Sequence, residues 1–186
     1  MKRLAGIVLL VLLLCGCTGG NEQMDQVLAL RSKLLQSKGC AFEACITADY
    51  GDQIHQFTLA CQADEKGNVS FRVSAPESIC GITGRIDTQG GKLTFDDQLL
   101  AFPLLADGQL SPVSSPWILV KTLRGGYIHA CGKDGDQLLA TIHDSYADDA
   151  LELDIWLNPD NIPIRAEILW RSRKFLSMEI KNFRIV

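Results

Sequence analysis

The sequence has no excess of positive charge, no C-x-x-C pair and no apolar run long enough to cross a bilayer as a helix. Eighteen Lys and Arg stand against 22 Asp and Glu, a net charge of −4 over 186 residues. No global basic field exists to recruit nucleic acid. Without C-x-x-C neither a zinc ribbon nor a thioredoxin-type dithiol is encoded. Seven cysteines in a chain of this length are too sparse for a small disulfide scaffold. The apolar run Leu4–Leu14 falls well short of the about 20 residues a transmembrane helix needs. There is no G-x-S-x-G elbow, no H-E-x-x-H and no phosphate-cradling glycine loop of recognised spacing. What is present is an ordinary globular mixture, 47% hydrophobic and 22% charged. That excludes a disordered chain and suits one domain with a substantial core.

The average conceals two kinds of sequence. Lys2 and Arg3 precede the uncharged run Leu4–Leu14, which reads as a secretory signal over 1–16 and stands outside the fold. The end of that run, Leu14-Cys15-Gly16-Cys17, resembles the bacterial lipobox, in which the last Cys is diacylated and becomes the mature N-terminus. That residue here is Cys17, followed by a short tether through 22. Two acyl chains at about 0.8 kcal/mol per buried CH₂ give a stable membrane anchor. Loss of Lys2 and Arg3 leaves 16 basic and 22 acidic side chains, a net charge of −6. The lipid, not the overall charge, then holds the domain at the membrane.

Residues 23–186 read as one domain. Met24, Val27, Leu28, Leu30, Leu34 and Leu35 recur at helical spacing, predicting an amphipathic helix over 23–37 with Asn21 as N-cap and Gly39 as C′ residue. From 41 onward the apolar residues alternate. Phe42, Ala44, Ile46 and Ala48 share one face, as do Phe57, Leu59 and Cys61, then Val69, Phe71 and Val73. Residues 106–116 read as a loop. Ser115 as N-cap and Pro116 as first helical residue predict a short helix over 117–124, stopped by Gly125-Gly126. Strands resume from Tyr127 to the end. About ten or eleven short strands joined by tight turns imply antiparallel neighbours that must curl or close, with the helices covering the apolar face.

Chemistry-bearing residues are few. His55, His129 and His143 fall on strands. His129 and His143 flank one hairpin and are placed to pair across it, but no third ligand stands at metal-binding spacing. Asp134-Gly135-Asp136 lacks the remaining ligands of a calcium loop, and Asp144, Asp148 and Asp149 read as solvated charge. Cys40, Cys45, Cys61, Cys80 and Cys131 form an odd set, so at least one thiol stays unpaired in a monomer. Cys45 and Cys61 lie on consecutive strands, where they can approach. Burial as small hydrophobes is the reading for Cys61, Cys80 and Cys131. No catalytic residue, metal or cofactor is expected.

The order of elements, with Ser74-Ala75-Pro76 after the third strand, Ser115-Pro116-Trp117-Ile118-Leu119 in mid-chain and Leu176-Ser177-Met178-Glu179-Ile180-Lys181-Asn182-Phe183 at the end, resembles the LolA/LolB group of lipoprotein-localisation factors, and LolB more than LolA. Ile162-Pro163-Ile164-Arg165-Ala166-Glu167 is similar to LolA-like lipoproteins of Gram-positive bacteria. The resemblance implies an α+β, mainly β fold, an incomplete antiparallel barrel under two or three short helices. It implies a non-enzymatic lipoprotein on the extracytoplasmic side of the cell membrane or outer membrane, whose cavity holds acyl chains or another hydrophobic ligand, including those of a lipoprotein. Phe57, Leu59, Phe71, Val73, Ile82, Leu153, Ile155 and Ile168 are the matching cavity residues. Ile79, in the loop after the third strand, matches the family's membrane-contact position, although the usual Leu is absent. Membrane lipid is the expected partner, with no nucleic acid, and the chain is expected to be a monomer. The same fold in RseB-like envelope sensors implies the alternative, a protein-interaction or regulatory module.

Overall fold

The computed structural model describes residues 22–186 apart from 52, 96–97, 103–104, 107–108 and 148–149. Cys17, Asn21, Pro103, Asp107, Gly108, Asp148 and Asp149 therefore lie outside the described residues. Helix α1 runs Glu22–Gln36. It starts one residue earlier than the periodicity predicts and stops before Ser37, whose hydroxyl donates to Leu34 O (2.9 Å) and accepts from Gly39 N (3.2 Å). Val27, Leu30 and Leu34 are its buried stripe. Gly39 is not a helix C′ residue. It opens the first strand at φ +143°, and a Cβ there would sit 1.9 Å from Ala63 O, so only glycine fits.

Strands β1 (Gly39–Asp49), β2 (Ile54–Asp64), β3 (Val69–Ala75), β4 (Thr83–Asp87), β5 (Gly90–Phe95) and β6 (Gln98–Phe102) follow as an antiparallel meander. A two-stranded piece, β7 (Leu105–Ala106) and β8 (Gln109–Leu110), stands apart from it. Helix α2 (Ser115–Gly125) comes next, then β9 (Tyr127–Asp134), β10 (Gln137–His143), β11 (Leu151–Leu157), β12 (Pro163–Trp170) and β13 (Arg173–Ile185). The two runs join where β13 pairs β1, giving one eleven-stranded sheet in the order β6-β5-β4-β3-β2-β1-β13-β12-β11-β10-β9. Its outer members β6 and β9 are edges, so the barrel stays open. The fold is α+β and mainly β, as the element order implies.

Strict alternation decides which face is buried. Ala44, Ile46 and Ala48 of β1, Leu59 of β2, Ile142 of β10, Ile155 of β11 and Ile168 of β12 are almost fully buried in a single apolar cluster. Gly84 makes room for the Phe71 ring, which a Cβ would meet at 2.4 Å. Near the end of β13, Asn182 takes φ +54° beside a register shift against Ala41 and Glu43 of β1, as expected of a bulge. The shift leaves Phe183 stacked on Phe42 at 5.8 Å.

Two local expectations are corrected. The stretch read as loop over 106–116 contains β8 and the end of β7. Ser111-Pro112 and Ser114-Ser115-Pro116 read as loop and mask the short strands before them. The N-terminus of α2 also differs. A 3-10 turn, Pro112–Ser114, leads into it, and Ser115 is already helical. Its hydroxyl donates backward to Pro112 O (2.7 Å) rather than capping forward.

Candidate functional site: the concave face and its helical cover

The concave face of the sheet collects the sequence-predicted cavity residues. Leu59, Phe71, Val73, Leu153, Ile155 and Ile168 are buried there, and Phe57 and Ile82 are half-buried against the same cluster. They come from β2, β3, β11 and β12 and from the residue before β4, so the open sheet brings both halves of the chain to one apolar surface. Helix α2 fills that surface. Trp117, Ile118, Leu119, Val120 and Leu123 are all buried, and the helix touches β2 and β3 on one side and β10 on the other. Sequence reasoning placed the helix but omitted these residues from the site. The signal was present: four consecutive apolar residues, Trp117-Ile118-Leu119-Val120, mark a helix buried over most of its surface, with Lys121 exposed after them.

Two arginines fasten the helices to each other. Arg31 of α1 donates to Leu123 O at the end of α2 (2.7 Å). Arg124 of α2 donates to Leu34 O at the end of α1 (2.8 Å) and to Glu65 O in the β2–β3 turn (2.7 Å). Each guanidinium thus satisfies carbonyls that a helix C-terminus leaves open.

Among the described residues Cys40, Cys45, Cys61, Cys80 and Cys131 are free. Cys45 and Cys61 do not approach, which corrects the expectation from consecutive strands. Cys45 stands opposite Thr58 and Cys61 opposite Phe42, so the odd offset puts them on opposite faces. The core neighbour of Cys61 is Cys40. Burial pushes the Cys40 thiol up to about 11, against a weaker opposing pull from Arg124. Burial, then the neighbouring Cys40, raises Cys61 also. Neither is a nucleophile at neutral pH. Burial raises Cys131, which is half-buried, and Cys80 is exposed rather than buried.

No protein-family model matches the chain, and no curated protein matches it. Among solved structures it resembles an uncharacterized conserved protein from Thermus thermophilus, at 14% identity and a TM-score of 0.48 over 89% of this chain and 88% of that one. It also resembles a LolA superfamily protein from Nitrosomonas europaea, at 9% identity and 0.43 over 86% and 93%. The Mycobacterium tuberculosis lipoprotein LppX matches at 12% identity and 0.41 over 87% and 92%. The likeness concerns the course of the fold and nothing finer.

The remaining candidates lie outside the concave face. Ile79 ends a 3-10 turn, Glu77–Ile79, between β3 and β4 and is 38% exposed. His129 and His143 do meet across the β9–β10 hairpin, stacked at 4.8 Å, and Glu152 Oε2 lies 3.3 Å from His143 Nε2. Among the described residues no group of three His, Cys, Asp or Glu is placed to hold a metal. Asp134 accepts from Trp156 Nε1 (2.7 Å), a structural use of the Asp-Gly-Asp turn. The outer face carries a polar cleft of about 520 Å³. At its wall Glu167 accepts from Arg165 and from Lys174 (3.2 Å). Burial alone would raise the Glu167 carboxyl, but these two cations hold it below the usual value.

Proposed function

We propose that the chain is a non-enzymatic, lipid-anchored extracytoplasmic protein that receives an acyl chain or similar hydrophobic ligand between the concave sheet and helix α2. One observation carries this reading: an eleven-stranded sheet with a continuous apolar inner face is left open and covered by a helix instead of by further strands. A helix held by side-chain packing and two arginines is a separable cover, whereas a closed barrel is not. Cys17 supplies the anchor, and Ile79 serves as a membrane contact.

Native mass spectrometry of the chain extracted from bacterial membranes tests the proposal. The expected spectrum shows the acyl mass on Cys17 and one additional, non-covalent lipid per chain. A chain that carries no second lipid, and takes up none from added phospholipid, contradicts it. The open edge supports a second reading. Leu99 and Leu100 of β6 are 65% and 62% exposed, and an apolar edge strand can receive a partner's strand. That reading predicts a lipid-free chain whose protein complex is lost on Leu100→Lys.

A further inference from the structure

The β12–β13 hairpin ends in Trp170-Arg171-Ser172-Arg173-Lys174-Phe175, three cations between two aromatics, with no acidic residue from Ile168 to Met178. This is the reverse of the domain's overall charge, although one of the three cations, Lys174, is paired with Glu167. The two turn residues both sit at positive φ, Arg171 at 50° and Ser172 at 62°, while Trp170 pairs with Arg173. A two-residue turn with both φ positive favours Asn-Gly. Arg and Ser occupy it against that preference. The Arg171 guanidinium lies over the Trp170 ring at 4.7 Å and Arg173 over Phe175 at 5.1 Å. Both arginines are exposed and both aromatic rings half-buried. Arg173 also reaches toward Gly51 in the adjacent β1–β2 turn, where Ile54 is 64% exposed.

The antiparallel order puts this hairpin tip at the same end as the β1–β2 turn, the β3–β4 loop and the start of β9. Ile79, Tyr127 and Tyr146 are exposed at that end, Tyr146 by 86%. The start of helix α1 faces that end, since Met24 and Leu28 border one cleft with Tyr127 and Tyr146. The helix also crosses toward the far end, where Gln26 O accepts from Asn161 (2.8 Å) and Lys33 borders a cleft with Asp160 and Ile185. Cys17 precedes Glu22 by five residues, a reach of at most about 17 Å.

We infer that the Trp170–Phe175 hairpin tip is a docking element for an anionic lipid surface, presenting this end of the half-barrel to the bilayer. Arginine over tryptophan suits the interface, where the ring enters the headgroup region and the guanidinium meets phosphate. The placement of the tip near the tether rests on the proposed Cys17 anchor, whereas its affinity for anionic lipid does not.

The test uses the full chain on vesicles of phosphatidylcholine and on equimolar phosphatidylcholine and phosphatidylglycerol, with doxyl-labelled lipid as quencher. Trp117 and Trp156 are buried, and Trp170→Phe subtracts their signal. Trp170 fluorescence is expected to be quenched on the phosphatidylglycerol vesicles and released by high salt. Each cation near an anionic surface contributes about fivefold, so Arg173→Glu should weaken docking about fivefold or more. Arg171→Asn with Ser172→Gly should raise Tm and still weaken docking by a similar factor, which separates docking from folding. Trp170 unquenched on the phosphatidylglycerol vesicles, or quenched equally on phosphatidylcholine alone, or docking unchanged in that turn variant, overturns the inference. So does a Trp170 response to polyglutamate peptide with none to vesicles, which assigns the tip to an acidic protein segment. Mass analysis of Cys17 in the same samples separates the two readings. An unacylated chain that is quenched keeps the docking and removes the anchor. An acylated chain with Trp170 unquenched keeps the anchor and removes the docking.

Discussion

Asp64 shows how much one carboxylate can organise. Its Oδ1 accepts from the backbone N–H of Lys66 and Asn68, both at 2.9 Å, and its Oδ2 from Asn68 Nδ2 at 2.9 Å and Arg85 at 3.0 Å. These bonds close the β2–β3 turn around Gly67 at φ +82°. Partial burial would raise the carboxyl, but the hydrogen bonds from Asn68 and Lys66 and the charge of Arg85 hold it below 3.8. Glu167 is held below 4.5 in the same sense. Both groups bind protons less readily folded than unfolded. Their stabilisation is therefore present above these values and is lost as pH falls through the lower folded pKa values. Asp64→Ala should cost about 1–2 kcal/mol, a net figure for charged hydrogen bonds at a partly exposed site. Urea unfolding should show that difference at pH 7 and a smaller one at pH 3. An equal difference at both would assign the loss to packing instead.

Among the elements, those with one wet face were legible in the sequence. β1, β2, β3 and β11 alternate because one side of each meets the core, and the register follows that alternation. α1 was legible from its stripe, and α2 from its Ser-Pro start and Gly-Gly stop. The role of α2 as the core's central filling was carried by the apolar run Trp117–Val120 and not by the periodicity, which Lys121 and Arg124 set on the outer side. β8 and the end of β7 escaped because Ser111-Pro112 and Ser114-Ser115-Pro116 after them read as loop. The arginine contacts between α1 and α2 join residues about ninety positions apart, and nothing local encodes them. Leu119 is fully buried in α2, and Leu119→Ala should destabilise the domain by about 2–5 kcal/mol, read from the urea midpoint. Arg124→Met should loosen the cover selectively, seen as faster amide exchange in α2 than in β1. Uniformly faster exchange would mean that the helix and sheet open as one unit.

At the scale of the whole molecule, among the described residues the sheet has two edges without a strand partner and a concave face closed by helices. The loops at one end carry Ile54, Ile79, Tyr127, Tyr146 and the Trp170–Phe175 tip, and α1 enters at that same end. The far end shows Leu35, Ile162 and Val186 as its exposed apolar residues. In the proposed docking, an acidic domain so arranged would meet a bilayer through a local basic and aromatic tip, although its net charge is of the wrong sign. The proposed ligand site lies beneath α2, where the helix packs on the sheet. Trp117, buried in that packing, reports on it once Trp156 and Trp170 are replaced by Phe. Titration with dansyl-undecanoic acid should give energy transfer from Trp117 that saturates at one probe per chain, with a blue-shifted dansyl emission. Transfer that never saturates, or none at all, would contradict a ligand site beneath α2.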